Sequence, residues 1–164
     1  CSDPYGILKR KDEIEIQKYS NFLILRIYAL SGMFMNNPDL FALGEFLKNA
    51  MSGKSISIKS KIPIIRSYGN ASDICQLALR WLISNDQTAI KEPLDSVNLT
   101  LDILELAKLI SNLYNSVPVK CDWDKNAKAN IYIARKDKFI KTLNNYNLTP
   151  KSIEEQIIDT SYFF

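Results

Sequence analysis

Segments of helical periodicity alternate with short apolar segments along the chain. Residues 4–19 have a proline at a plausible first helical position and mix isoleucine and leucine with charged residues, which predicts a helix with a polar face. Residues 22–28 follow as a nearly continuous apolar run that contains β-branched and aromatic side chains. The length of this run predicts a buried strand of a parallel sheet that is covered by helices.

The rest of the chain repeats this alternation. A second helix is predicted from Pro38 to about Met51, where Ser52 and Gly53 end it. The other predicted elements are strands or extended segments at 55–60, 64–68, 96–100 and 130–134, and helices at 71–84, 102–114, 136–144 and from 149 onward. Asn70 or Ser72 is the expected N-cap of the helix at 71–84. Strands that alternate with helices in this way predict an α/β fold.

Composition excludes several classes of function. The 164 residues are 46% hydrophobic, which is typical of one globular domain or a large piece of one. The net charge of +3 is too small to indicate a nucleic-acid partner. Histidine is absent, which excludes Ser–His and Cys–His nucleophile pairs and imidazole metal sites within this chain. Arg26 interrupts the longest apolar run, so we expect no membrane span.

The cysteines indicate the compartment. Three of them, at positions 1, 75 and 121, have no CxxC spacing and are interpreted as ordinary thiols of a reducing compartment. We therefore expect a cytoplasmic protein. The chain begins with Cys1 rather than methionine, which indicates either a fragment of a longer protein or a natural truncation.

Tyr5 and Lys9 are the first candidates for chemistry. Their spacing places both side chains on one face of the first predicted helix, where they can point at the same ligand. A tyrosine, with a pKa near ~10, is no base at neutral pH, but a nearby ammonium favours its phenolate form. Such a tyrosine can remove a hydroxyl proton while hydride leaves the adjacent carbon.

The same spacing also arises by chance in a chain with eight tyrosines and many lysines. Tyr132 and Lys136 form a second match. Tyr132 is predicted in a strand and Lys136 beyond it, so this match is interpreted as accidental.

Several other polar and aromatic residues are interpreted as structural. Asp73 falls in the first turn of a predicted helix, where the helix dipole stabilises a carboxylate. Trp81 and Trp123 are predicted to be packing residues. Asp122 and Asp124 flank Trp123 and are interpreted as a solvated edge rather than as a cation site. No metal site is therefore predicted.

Four segments follow one another in a distinctive order. Tyr5 to Lys9 reads YGILK, residues 25–32 read LRIYALSG, residues 66–73 read RSYGNASD, and residues 103–110 read ILELAKLI. This series resembles the C-terminal half of the extended short-chain dehydrogenase/reductase family, the NAD-dependent sugar-nucleotide epimerases and dehydratases. The corresponding family motifs are the active-site YxxxK, the strand LRxxNVYGP, an Arg–(Asp/Ser)–Tyr segment and the helix ILELAELI.

The resemblance implies a fold and a set of roles. The fold would be the last strands and helices of a Rossmann-like parallel sheet plus a small C-terminal α/β substrate-binding lobe, over residues 1–164. Tyr5 would act as acid and base on a sugar hydroxyl or ketone, and Lys9 would lower its pKa and hold the nicotinamide ribose. Arg66 would bind the nucleotide diphosphate, because a guanidinium suits phosphate oxygens.

The roles of two further tyrosines are each open to two interpretations. Tyr28 lies at the C-terminal end of its predicted strand, where it lines the nicotinamide pocket or fills the core. Tyr68 contacts substrate or packs.

The chain also departs from the family pattern. Its five glycines, at positions 6, 32, 44, 53 and 69, form no G-x-G-x-x-G phosphate-binding turn, which in the family would precede Tyr5. The N-terminal dinucleotide-binding half is therefore interpreted as absent from this chain. NAD or NADP is implied as the cofactor, and the chain alone is expected to bind it weakly. Ala29 and Met33 replace the family's asparagine and proline.

The sequence thus predicts the substrate-binding and Tyr/Lys active-site part of an NAD(P)-dependent sugar-nucleotide epimerase, dehydratase or reductase. The parent protein is expected to be an enzyme and this chain alone to be inactive. The expected partners are a nucleotide-sugar substrate and a second subunit, with which the first helix would form a four-helix bundle. No nucleic-acid or membrane partner is expected. The alternative is a non-catalytic truncated remnant that binds a sugar nucleotide or a partner subunit.

Overall fold

The computed structural model describes residues 3–33, 37–84, 90–124, 126–162 and 164. The helices are α1 Pro4–Ile16, α2 Ala42–Met51, α3 Ala71–Ile83, α4 Ile103–Leu113, α5 Asp137–Asn145 and α6 Ile153–Ser161. The strands are β1 Leu25–Arg26, β2 Ala29–Ser31, β3 Ile56–Ile58, β4 Ile64–Asn70, β5 Leu94–Asp95, β6 Leu99–Asp102, β7 Val119–Cys121 and β8 Asn130–Tyr132. The predicted α/β class is confirmed.

Strand β4 is the centre of the largest sheet. It pairs in parallel with β2, where Ala29 lies opposite Tyr68, and in parallel with β8, where Tyr132 lies opposite Arg66. It pairs antiparallel with β6, so this sheet is mixed. Strand β8 pairs with residues 64–66 of β4 and β2 pairs with residues 68–70, so these two strands lie one after the other along β4. Two further parallel pairs, β1 with β5 and β3 with β7, form separate two-stranded sheets.

The prediction of one continuous buried strand at residues 22–28 is wrong. The segment forms β1 only at Leu25–Arg26, and a second strand begins at Ala29. The break has a physical reason, because β1 pairs with β5 whereas β2 pairs with β4. Burial is also incomplete, since Ile27 is 49% exposed.

Helix boundaries differ from the sequence predictions by a few residues at several ends. Helix α1 ends at Ile16 instead of residue 19. A 3-10 turn at Pro38–Leu40 precedes α2, which begins at Ala42. The last helix begins at Ile153, because Ser152 and Glu155 form a capping box there. Asn70, the first of the two expected N-caps, accepts a hydrogen bond from the Ser72 amide.

Two hydrophobic cores stabilise the fold. The larger core joins α2, α4 and β3, and its fully buried members include Leu47, Ile56, Leu106 and Ile110. The smaller core joins α3 and α5 and includes Leu77, Phe139 and Leu143. Trp81 belongs to the smaller core, and Trp123 packs against the larger one. Helix α1 contributes to neither core and buries no residue.

A close backbone contact fixes the end of β4. The Asn98 amide donates to the Tyr68 carbonyl at 3.0 Å. A Cβ atom at Gly69 would lie 2.0 Å from the Ser96 carbonyl oxygen, so only glycine fits at this position. This contact aligns the end of β4 with the loop that follows β5.

None of the helices in the described part of the chain is both long enough and apolar enough to cross a membrane.

Candidate active site

Tyr5 and Lys9 occupy the first two turns of α1. The Asp3 carboxylate accepts a hydrogen bond from the Gly6 amide and caps the helix just before Tyr5. The Lys9 ammonium lies 5.9 Å from the centre of the Tyr5 ring, within the range of a cation–π contact. It also lies 3.6 Å from a carboxylate oxygen of Asp12. The two residues thus share one helix face, as their spacing predicts.

A salt bridge connects α1 to strand β1. Both carboxylate oxygens of Glu13 accept hydrogen bonds from Arg26, one from Nε and one from Nη2, each at 2.7 Å. These bonds hold the pKa of Glu13 below its ordinary value and raise the pKa of Arg26. Nη1 of Arg26 lies 3.5 Å from Oδ1 of Asp95.

The first of two neighbouring cavities brings these residues together. It has a volume of about 690 Å³, and its lining includes Tyr5, Lys9, Tyr28 and Tyr132. We call it the α1 cavity. Tyr5 is 69% exposed beside it, so its hydroxyl is accessible to a ligand.

Tyr28 connects the α1 cavity to a second cavity. Its ring lies against that of Tyr132, with 4.9 Å between centroids and 32° between planes. Its hydroxyl donates to Oδ1 of Asp95 at 3.4 Å. Burial and the neighbouring Asp95 carboxylate both raise the pKa of Tyr28. Because Tyr28 is half-buried and lines both cavities, it belongs to a pocket wall rather than to either core.

The second cavity, which we call the β4 cavity, contains the other two candidates. It has a volume of about 530 Å³, and its lining includes Tyr28, Arg66 and Tyr68. The remaining lining residues are apolar: Ile27, Ala29, Leu30, Phe41, Ala42, Leu43, Ile64 and Ile103. Arg66 therefore supplies the positive charge of a largely apolar pocket.

Arg66 is held in place by strand β8. Its Nη1 donates to the carbonyls of Ile65 and Asn130, and its Nη2 donates to Oδ1 of Asn130, each at 2.9 Å. A guanidinium has five N–H donors. These bonds orient the group and, among the contacts of the described residues, leave two donors for a ligand oxygen.

Tyr68 packs as well as lining a cavity. It is 4% exposed and belongs to the larger core, and burial raises its pKa to about 12. Its phenol therefore stays protonated and is no candidate for proton transfer at neutral pH.

Tyr132 is a residue that the sequence analysis placed outside the site. Tyr132 lies in β8 and Lys136 is the N-cap residue of α5, so the two share no helix face, as predicted. The structure nevertheless places Tyr132 in the lining of the α1 cavity, against Tyr28. The sequence carried no local signal of this, because it depends on the pairing of β8 with β4, whose residues are more than 60 positions away.

Asp73 and Asp122, which the sequence predicts to be structural or solvated, both have contacts with other residues. Oδ2 of Asp73 accepts from the Lys151 amide at 2.9 Å, and burial raises the pKa of this carboxyl. Asp122 pairs with Lys61 at 2.5 Å. In the residues that the structure describes, no group of three or more acidic or cysteine side chains could hold a metal ion.

Comparisons with known proteins identify the fold. No family model matches the sequence, and no curated protein matches it. Among solved structures, a UDP-glucose 4-epimerase of Thermotoga maritima with UDP-glucose aligns at a TM-score of 0.70 and 19% identity, over 98% of this chain and 53% of that one. A UDP-glucuronic acid 4-epimerase of Bacillus cereus, in complex with UDP-glucuronic acid and NAD, aligns at 0.69 and 15%, over 98% and 52%.

A dTDP-glucose 4,6-dehydratase of Bacillus anthracis in complex with NAD aligns at 0.68 and 15%, over 99% of this chain and 52% of that one. The chain therefore has the α/β fold of the C-terminal portion of Rossmann-like sugar-nucleotide epimerases and dehydratases. It spans about half the length of each of these proteins.

Proposed function

We propose that the chain is the substrate-binding and Tyr/Lys active-site part of an NAD(P)-dependent sugar-nucleotide epimerase, dehydratase or reductase. The observation that carries the proposal is the adjacency of the two cavities across Tyr28. A proton-transfer pair lines one cavity, and a fixed guanidinium lines the other. A ligand that extends past Tyr28 would therefore meet both groups.

In this proposal Tyr5 moves a proton to or from a sugar hydroxyl or ketone. The Lys9 ammonium lies close to the Tyr5 ring and can contact the same ligand. Arg66 binds the nucleotide diphosphate through the donors that β8 leaves available. Tyr28 borders the reacting end, and Tyr68 borders the substrate from the core side of the β4 cavity.

The residues of the α1 cavity fit one end of a nicotinamide cofactor. Lys9 can hydrogen-bond ribose hydroxyls, and Tyr28 supplies an aromatic wall. When bound, the cofactor would supply the hydride acceptor or donor. The chain has no glycine-rich turn for the cofactor's phosphates, so we propose that a dinucleotide-binding half outside this chain completes the site. Binding of NAD by this chain alone is then expected in the millimolar range, about 4 kcal/mol.

We also propose that α1 contacts a second subunit. Ile7, Leu8 and Ile14 of this helix are each at least 42% exposed, which leaves an apolar surface on a helix that belongs to neither core. Its burial against a second copy would produce a dimer or a larger assembly.

The second candidate is a non-catalytic chain that binds a sugar nucleotide or a partner subunit. The contacts of Arg66 with β8 favour this candidate, because they give the arginine a structural role without any ligand. This candidate predicts binding without turnover.

The decisive experiment measures turnover by the intact protein that contains this chain. UDP-glucose, UDP-glucuronic acid and dTDP-glucose are offered with NAD or NADP, and the nucleotide sugars are separated by chromatography. Tyr5→Phe should lower turnover by ~10²–10⁴ with little change in KM, because only the proton-transfer hydroxyl is lost. Lys9→Met should lower turnover and weaken cofactor binding. Arg66→Ala should mainly raise KM for the nucleotide sugar.

Tyr19→Phe is the matched control. Tyr19 is 71% exposed, close to the 69% of Tyr5, and it follows α1 without lining either cavity. Tyr132→Phe is unsuitable as a control because Tyr132 lines the α1 cavity. Equal turnover of Tyr5→Phe and Tyr19→Phe would remove the catalytic assignment. The second candidate would be favoured by two results together. The unmodified protein would bind a nucleotide sugar without turning it over, and Arg66→Ala would weaken that binding.

A further inference from the structure

We propose that Glu13 and Arg26 are positioning residues for the Tyr5–Lys9 site. In this view, their salt bridge holds α1 against β1 and so sets where Tyr5 and Lys9 lie in the α1 cavity. The functional meaning rests on the proposed function, whereas the mechanical claim about α1 can be tested without it.

Helix α1 lacks the usual means of orientation. It is 13 residues long and buries none of them. An isolated helix of this length is only marginally stable in water, and most helices in proteins are stabilised by packing of an apolar face. Within a single chain, the orientation of α1 therefore depends on individual side-chain contacts with the rest of the molecule, to which the proposed second subunit would add its own contacts.

Glu13 is well placed to make such a contact. Tyr5, Lys9 and Glu13 succeed one another at four-residue intervals, so they form one stripe along α1. All three line the α1 cavity, and so does Arg26 of β1. The side chain of Glu13 is only 19% exposed, although the helix around it is largely exposed. The stripe that carries the proton-transfer pair thus ends at the salt bridge.

Arg26 is a firm attachment point. It belongs to β1 and lies opposite Asp95 of β5, and its carbonyl accepts from the Ser96 amide at 2.9 Å. The hydrogen bonds to Glu13 are bidentate, a geometry that fixes the orientation of both groups. A lysine at this position would keep the charge but lose the second bond.

The same contacts extend to Tyr28, which also lines the α1 cavity. Oδ1 of Asp95 lies 3.5 Å from Arg26 and accepts from the Tyr28 hydroxyl at 3.4 Å. Glu13, Arg26, Asp95 and Tyr28 therefore form a continuous polar series from α1 to the tyrosine between the two cavities. The distance between the Tyr5–Lys9 pair and Tyr28 depends on this series.

The test measures backbone exchange and one ring signal in the full chain. In Glu13→Gln and Arg26→Gln, α1 amides should exchange with deuterium about fivefold faster, the factor that corresponds to about 1 kcal/mol. The ¹³C-tyrosine signal of Tyr5, assigned by its loss in Tyr5→Phe, should shift in both variants. Arg26→Lys should restore part of each change. Amides of α4 should exchange as in the unmodified chain, because α4 lies in the larger core.

Glu15→Gln is the matched control. Glu15 lies on the same helix but pairs only locally, with Lys18, in the contacts of the described residues. The proposal is overturned if Glu13→Gln leaves the α1 amides and the Tyr5 signal unchanged, or if Glu15→Gln changes them equally. If the α4 amides also exchange faster in Arg26→Gln, that variant has lost stability throughout the chain. The result for Glu13→Gln then decides by itself, because Glu13 lies on the exposed helix.

A turnover measurement separates this proposal from the proposed function. If the intact protein turns over a nucleotide sugar, Glu13→Gln should lower kcat severalfold more than it changes KM, and Glu15→Gln should change neither. Faster α1 exchange in a protein without any turnover would support the positioning role of the salt bridge and contradict the enzyme assignment.

Discussion

Helices α1 and α6 are attached to the molecule in opposite ways. Helix α1 has 13 residues and buries none of them. Helix α6 has nine residues, of which Gln156, Ile157, Asp159 and Thr160 are buried. The shorter helix is thus the more firmly docked, which shows that length and helical pattern alone do not determine how tightly a helix is held.

Buried hydrogen bonds account for the firm docking of α6. Gln156 accepts from the Ser31 hydroxyl at 2.7 Å and donates to Asn98 at 2.8 Å. The Gly32 amide donates to the Thr160 hydroxyl at 2.7 Å. These partners lie at the end of β2 and beyond β5, so α6 is attached to the sheet. Buried polar groups that are fully paired specify one arrangement, because any other would leave them unsatisfied.

The two cavities of the proposed site differ in the same way. The β4 cavity is lined by β4 and its neighbours, which belong to the firmly packed part of the molecule. The α1 cavity is lined by α1, which carries Tyr5 and Lys9 and forms the partly exposed Glu13–Arg26 salt bridge. We expect the site to be adjustable on the α1 side and rigid on the sheet side.

The largest expected effect is on the firmly docked helix. Gln156→Ala should lower the free energy of unfolding by about 3 kcal/mol, because it leaves Ser31 and Asn98 without a buried partner and opens a cavity. Urea unfolding measures this change. Gln17→Ala, at the exposed end of α1, is the matched control and should stay within about 0.5 kcal/mol. Similar losses in both variants would contradict the distinction between the two helices.

A change of pH is expected to have a smaller effect, with opposite signs for the contributions of Glu13 and Asp73 to stability. The hydrogen bonds from Arg26 hold the pKa of Glu13 below its ordinary value. The contribution of this salt bridge to α1 is therefore present above that ordinary value and is lost as pH falls through the lowered pKa. Burial raises the pKa of Asp73 above its ordinary value, although the hydrogen bond from the Lys151 amide acts in the other direction. Its contribution to stability therefore grows as pH falls through the raised pKa, because the folded state binds the proton more readily.

Two variants isolate these contributions between pH 7 and roughly pH 3.5. The difference in α1 amide protection between the unmodified chain and Glu13→Gln should shrink as pH falls. As pH falls, the unfolding free energy of the unmodified chain should rise relative to that of Asp73→Asn. Trends of the same sign in both comparisons would show that the two carboxyls are not in the contrasting environments that the structure describes.

The smallest expected effect on stability is on the apolar surface of α1. Leu8→Asp should change the unfolding free energy by less than about 0.5 kcal/mol, because Leu8 is 57% exposed and outside both cores. It should nevertheless weaken association if α1 contacts a second subunit, which light scattering at tens of micromolar protein would detect. Leu79→Asp, at 62% exposure on α3, is the control and should leave association unchanged. A monomeric unmodified chain would contradict the proposed assembly.

Local features of the site were predictable from the sequence, and distant ones were not. The Tyr5–Lys9 pair could be predicted because residues four apart on a helix always share a face. The pocket wall made by Tyr28 and Tyr132 could not, because it joins residues more than 100 positions apart. The support of Arg66 by Asn130 likewise spans 64 positions and depends on the pairing of β8 with β4.

The sequence by itself determined the alternation of helices and strands, the cap at Asn70 as one of two expected caps, and the lack of a histidine-based or glycine-rich site. These features depend on neighbouring residues or on composition. Only the tertiary structure decided that residues 22–31 divide between two sheets, that two cavities meet at Tyr28, and that α1 is held by Glu13 and Arg26. The physical reason is that strand partners and ion pairs between distant segments are selected by packing of the whole chain, which no short-range pattern encodes.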